Sequence, residues 1–147
     1  MVITDRLSKS VIFEPMVGTS AEEVAQRLLE GVFRHHGLPT AIVSDRGPQF
    51  VSNFWRLVCD YLYITRRLST AFHPQTDGST ERANQELEVF LRIFGVYEQD
   101  QWVKTLPAAM LALNNRRSAS TGMSAFFLTH GFHHEVVQTA PEPLTGP

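Results

Sequence analysis

Apolar residues recur along this chain in two periods, and the alternation between them predicts the order of its elements. Val2-Ile3-Thr4 and Val11-Ile12-Phe13 are short extended runs on either side of the polar stretch Arg6 to Ser10, which predicts two short strands or one bent strand around a turn. Ser20 places a capping hydroxyl ahead of Glu22 and Glu23; Val24, Leu28, Leu29, Val32 and Phe33 then follow at helical spacing until Gly37-Leu38-Pro39 stops the run. Ala41-Ile42-Val43 is another short strand, and it delivers Asp45 into the turn Arg46-Gly47-Pro48. Helical periodicity resumes from Phe50 to Leu62 through Phe54, Leu57, Val58 and Leu62, and Ile64 to Leu68 reads as a strand containing Arg66 and Arg67.

The stretch Ser69 to Ser79 holds Pro74, Asp77 and Gly78, a composition that predicts a mobile loop. From Thr80 onward Ala83, Leu87, Phe90, Leu91 and Phe94 form one apolar stripe, leaving Glu81, Asn84, Gln85 and Glu88 near another face. Glu81 is thereby free to face a cleft. Trp102 to Asn115 is a further helix, with Pro107 in its first turns, and Ala125-Phe126-Phe127-Leu128 a short one. The expected organisation is one domain over residues 1–135 and a proline-rich extended tail over 136–147, without internal repeats. Strands alternating with helices indicate an α/β domain built on a mixed sheet. Ligands of such sheets gather at the carboxyl ends of strands, which is where Asp45 falls.

Composition narrows the chemistry. With 147 residues, 43% of them hydrophobic, the chain can bury a core, so wholesale disorder is excluded. A net charge of −2 excludes a globally basic nucleic-acid-binding domain, and any contact with DNA has to be local. Arg66-Arg67 and Arg116-Arg117 suit phosphate contacts and solvated surface equally. Cys59 is the single cysteine, which rules out a disulfide framework and a cysteine-containing zinc site within the chain; its apolar setting marks it as a small buried hydrophobe. His35-His36 and His133-His134 are adjacent pairs, a poor geometry for one metal, and are read as surface residues. No apolar segment is long enough for a membrane span and no signal-peptide plan opens the chain, so an intracellular protein is expected.

The candidate chemistry rests on Asp45 and Glu81, separated by thirty-five residues. A carboxylate at a strand end and another on a helix can jointly hold Mg²⁺, a hard cation that demands oxygen ligands. Pairs of acids are common, so their surroundings decide. A glycosidase or generic metal hydrolase would account for the two acids but not for the ordered motifs around them.

Those motifs are Val2-Ile3-Thr4-Asp5-Arg6-Leu7-Ser8-Lys9, His36-Gly37-Leu38-Pro39, Ile42-Val43-Ser44-Asp45-Arg46-Gly47, His73-Pro74-Gln75-Thr76-Asp77-Gly78, Glu81-Arg82-Ala83-Asn84 and Thr121-Gly122-Met123-Ser124-Ala125-Phe126. In this order and spacing the chain resembles the catalytic core of retroviral and gypsy-type LTR-retrotransposon integrases, over nearly its whole length. The resemblance implies a ribonuclease H-like mixed sheet flanked by helices. It also implies a metal site of two aspartates and a glutamate binding Mg²⁺ or Mn²⁺, with Asp45 matching the second acid and Glu81 the third. The implied reaction trims the 3′ ends of element DNA and joins them to target DNA. Asn84, Gln75 and Arg82 match positions bordering the metal and the DNA, while Gln85 and Glu88 stand where many relatives carry basic residues, which predicts weaker phosphate contact there. Implied partners are element and target DNA and further integrase chains, as a homodimer or larger assembly acting in the nucleus, with no membrane.

In such cores the first catalytic Asp lies upstream, in an Asp-Phe-Ile-Gly-Pro-Leu-Pro-like stretch on a central strand. No such stretch is present, so the chain is expected to be N-terminally truncated, to lack that strand, and to leave its neighbours without backbone partners. Asp5 is assigned a turn-capping role instead of a catalytic one. Two functional readings follow: an integrase enzyme core, or a non-catalytic core acting as a DNA-binding or protein-interaction module.

Overall fold

The turn from Asp5 to Ser10 folds β1 (Val2–Thr4) back onto β2 (Val11–Phe13) as an antiparallel pair with Ile3 opposite Ile12, so the opening segment is two strands and not one bent strand. The structure is a computed structural model, and it describes residues 1–69, 74–94 and 102–134. The proline-rich tail at 136–147 lies outside the described residues.

The outer edge of β2 is closed by side chains. Val11 donates its N–H to Asn114 Oδ1 and accepts from Asn114 Nδ2, both at 2.8 Å, and the Phe13 N–H meets Met110 Sδ at 3.3 Å. Asn114 and Met110 therefore stand in for a neighbouring strand, and Val11 and Phe13 are buried behind them. Asn114→Ala would strand a half-buried N–H and C=O, and is expected to cost about 1–3 kcal/mol in urea unfolding. A change within error would mean that water replaces both bonds.

Ser20 caps α1 (Ala21–Leu28), its Oγ accepting the Glu23 N–H at 3.2 Å. A π-helical turn, Leu29–Phe33, follows and leads into α2 (Arg34–His36), which ends at Gly37 with φ +78°. The wider turn brings residues five apart onto one side, so Leu28 and Phe33 are both buried. Leu29, expected on the same apolar face, is instead 56% exposed.

The helix expected from Phe50 to Leu62 is broken in two. α3 (Pro48–Val51) ends at the extended residue Ser52, whose Oγ accepts the Trp55 N–H at 3.1 Å and starts α4 (Asn53–Tyr61). The restart fixes which face is buried. Trp55 and Cys59 go into the core, while Phe54 and Leu57, expected there, are 40% and 53% exposed. Burial raises the Cys59 thiol pKa, as for an inert core thiol, and Arg66 only partly offsets the effect.

β3 (Ala41–Ser44) pairs in parallel with β4 (Thr65–Leu68), Ala41 opposite Thr65. α5 spans Pro74–Phe94, so the loop expected over Ser69 to Ser79 is helical from Pro74; proline suits a first helical turn because its missing N–H has no partner to lose. α6 (Trp102–Asn115) packs on α5 and β2, and α7 (Ala125–His130) is capped by Ser124. The fold is the mixed α/β, ribonuclease H-like arrangement, but its strands form two separate two-stranded sheets, β1-β2 and β3-β4. One buried cluster is centred on Val24, Leu28, Trp55 and Cys59, the other on Val11, Phe13, Ala83 and Leu106. Among the described residues no helix is long and apolar enough to cross a membrane.

Candidate metal site

Asp45 is the first residue past β3, and local bonds hold it there. Its Oδ1 accepts the Gly47 N–H at 2.8 Å, an Asx turn that fixes the carboxylate against its own backbone. The turn is also tied sideways: Arg46 Nε donates to Ser69 O at 3.4 Å, and the Ser69 N–H donates to Ser44 O at 2.8 Å. Because β3 and β4 run parallel, both anchors lie at carboxyl ends of strands.

Glu81 rides on α5, whose seating comes from Ala83, 4% exposed against the second cluster. One residue before Glu81, Thr80 Oγ1 donates to Thr4 Oγ1 at 3.3 Å, docking the helix beside the carboxyl end of β1. Sequence reasoning assigned no part to Arg46, Ser69, Thr4 or Thr80. Only Arg46, within the quoted motif, offered a signal. Glu81, Arg82 and Asn84 are all exposed, and Asn84 lies three residues from Glu81, on the same helical side. Gln75 falls in the first turn of α5, and its side chain lies outside the described residues.

Asp5 is otherwise engaged. Its Oδ2 accepts the Ser8 N–H at 2.7 Å and the Ser8 hydroxyl at 2.6 Å, closing the β1-β2 turn. Burial pushes its pKa up, but the Ser8 hydroxyl, the Ser8 and Leu7 backbone and the Lys9 charge together outweigh it, leaving the carboxyl below its ordinary value. A lowered folded-state pKa means that the turn's stabilisation is present above the unfolded value of about 4 and is lost as pH falls through the folded one. Acid titration of stability should therefore lose a component below about pH 4 in Asp5→Asn, and an unchanged acid limb would remove this role.

Asp45 Oδ2 and the Glu81 carboxylate have no hydrogen-bond or ion-pair partner among the described residues. As a donor set they suit a hard divalent cation in kind. They fall short in number, because among the described residues no group of three His, Cys, Asp or Glu side chains is placed to hold a metal. The histidine pairs do not supply the difference: His35 and His36 are exposed at the end of α2, and His133 stacks on Phe127 at 4.6 Å. Arg116 bonds Glu86 across α5 and α6, and Arg117 Nε donates to Gly122 O, so each has a structural partner.

The family model for the integrase core domain matches residues 1–74. The chain is 30% identical over 132 residues to the Transposon Tf2-3 polyprotein of Schizosaccharomyces pombe, covering 89% of this chain and 10% of that one. It thus spans about a tenth of the length of the curated relatives it matches. Among solved structures, the BIV integrase catalytic core domain superposes with a TM-score of 0.69 at 27% identity, over 86% of this chain and 82% of that one. The HTLV-2 integrase catalytic core domain in complex with magnesium, a trimeric form, gives 0.67 at 19% identity over 88% and 82%. A chain of the simian T-cell lymphotropic virus intasome in complex with PP2A regulatory subunit B56 gamma gives 0.71 at 22% identity, over 99% and 52%.

Proposed function

The chain belongs to the integrase core domain family, and on that premise we propose that it serves a retrotransposon integrase in metal-dependent 3′-end processing and strand transfer on DNA. The observation that carries this reading is the anchoring of Asp45 at the carboxyl end of β3, with free carboxylate oxygen left over. Asp45 and Glu81 would hold Mg²⁺ or Mn²⁺, and such an ion, when bound, polarises phosphoryl oxygens and lowers the pKa of the attacking water or hydroxyl. The protein's share is positioning. The Gly47 N–H keeps the Asp45 carboxylate from swinging away, and the Thr80–Thr4 bond keeps the Glu81 helix against β1. Arg82 and Asn84 offer a cation and an amide on the exposed side of α5 for phosphate and sugar contacts, which position DNA without reading its sequence. Element ends, target DNA and further integrase chains are the proposed partners, and the nucleus the proposed place of action.

A second reading, a non-catalytic core that binds DNA or integrase chains, is favoured by the lack of a third metal-ligating side chain among the described residues. One assay separates the two. The chain is incubated with a 3′-hydroxyl duplex and a plasmid target in Mg²⁺ or Mn²⁺. Joined product that disappears with EDTA supports the enzyme; binding of the duplex without product supports the module. Joining that Asp5→Asn abolishes would overturn the turn role of Asp5.

A further inference from the structure

The bonding pattern of the two sheets assigns each backbone group of the inner strands to one edge. In the β1-β2 pair, Glu14 N–H donates to Met1 O at 2.9 Å and Asp5 N–H to Ser10 O at 2.8 Å, so residues 1, 3 and 5 face β2. Antiparallel pairing alternates, which leaves the N–H and C=O of Val2 and Thr4 on the opposite edge. In the β3-β4 pair, Thr65 N–H donates to Thr40 O and Ser69 N–H to Ser44 O, so even-numbered residues face β4 and Ala41 and Val43 face away. None of these four residues has a backbone partner among the described residues.

These two edges belong to one seam. Ile3 of β1 and Ile42 of β3 both pack on the cluster of Val24, Leu28, Trp55 and Cys59, although no ladder joins their strands. Val2, on the other face of β1, packs on the cluster of Phe13, Ala83 and Leu106. The burial is inverted relative to an ordinary sheet. β2, on the outside, has Val11 and Phe13 buried and its edge closed by Asn114 and Met110, whereas every residue of β1 and β3 remains half-buried. Unpaired backbone beside half-buried Val2, Ile3, Ile42 and Val43 is the signature of a strand position without its strand.

We infer that the seam between β1 and β3 is a docking slot for one extended, apolar β-segment supplied by the remainder of a longer polyprotein. The occupant must bond on both edges and bury side chains on both faces, so it is a continuously apolar strand and not an alternating one. The chain spans a tenth of its relatives' length, so such polyproteins have ample sequence to supply it. A segment joined to β1 has the shortest connection, because consecutive strands usually neighbour one another. The slot stands independently of the catalytic reading, and its test uses neither DNA nor metal.

The probe is a synthetic peptide copying the ten residues that precede the matched region of the Tf2-3 polyprotein. Amide hydrogen exchange is followed residue by residue with and without it. Exchange at Val2, Thr4, Ala41 and Val43 should be fast in the free chain and slow by at least about tenfold with peptide, while Ile3 and Ile42, already bonded, change less. A peptide N-methylated at alternate residues should give no protection. The slot is refuted if the four amides are already protected in the free chain at all concentrations, which would mean the chain's own segments fill it. Protection that rises with protein concentration alone would refute it in favour of a second copy. Unchanged exchange at saturating peptide, with Ile3 and Ile42 protected as a folded chain requires, would also overturn it.

Discussion

Glu81→Gln, and separately Asp45→Asn, are expected to reduce Mg²⁺- or Mn²⁺-dependent strand transfer by about three orders of magnitude, the equivalent of about 4 kcal/mol of transition-state stabilisation. Each substitution removes a negative oxygen donor while keeping size, and Asn at position 45 still presents an Oδ1 to the Gly47 N–H, so the turn survives. Both side chains are exposed, so stability should stay within about 0.5 kcal/mol of the parent. Single-turnover rates in a strand-transfer assay, run beside urea unfolding, separate lost chemistry from lost fold. The exposed α1 carboxylate Glu22 supplies the control, since Glu22→Gln changes charge equally but should leave the rate alone. Equal losses in all three variants would reduce the effect to net charge and sink the metal-ligand roles.

Trp55→Ala is expected to be the most damaging single change to the fold. Trp55 is 2% exposed, meets Phe50 edge-on with ring centroids 5.8 Å apart, and sits in the cluster that holds α1, α4 and the inner strands together. Truncating a buried aromatic costs about 3–5 kcal/mol, most of what a small domain has when its total stability is near the lower end of about 5–15 kcal/mol. Circular dichroism during urea titration should show the midpoint falling steeply or the cooperative transition vanishing. Leu57→Ala, two positions along on the 53% exposed side, should cost under about 1 kcal/mol. The reverse order would mean that α4 buries the face its periodicity alone suggests.

That contrast marks where local reading stops. Phe54, Leu57, Val58 and Leu62 form a fair helical stripe on paper, and the Ser52 cap, by breaking the helix and restarting it, turns a neighbouring stripe into the core. Leu29 fails for a related reason, because one π-helical turn shifts the phase of everything after it. Pro74, Asp77 and Gly78 read as loop residues, yet α5 begins at Pro74, since helix formation depends on what the rest of a helix can bury and Ala83 supplies that anchor. The site divides the same way. The strand-then-turn that presents Asp45 was legible in its residues, as was the helix that carries Glu81, whereas the bonds locking them, Arg46 to Ser69 and Thr80 to Thr4, join residues far apart in sequence.

By itself the sequence determined the kinds of element, their order, the capping at Ser20 and the family, because propensity, caps and motifs act over a few neighbouring residues. Tertiary structure alone decided which faces are buried, that Asn114 and Met110 close the edge of β2, that Asp5 is engaged with Ser8, and that the strands stand as two separate pairs. The physical reason is that backbone hydrogen bonds between strands, and apolar burial between helices and strands, are set by partners distant along the chain. A strand's own residues state that it needs a neighbour on each edge, but only the assembled fold shows that the seam edges of β1 and β3 are without one among the described residues.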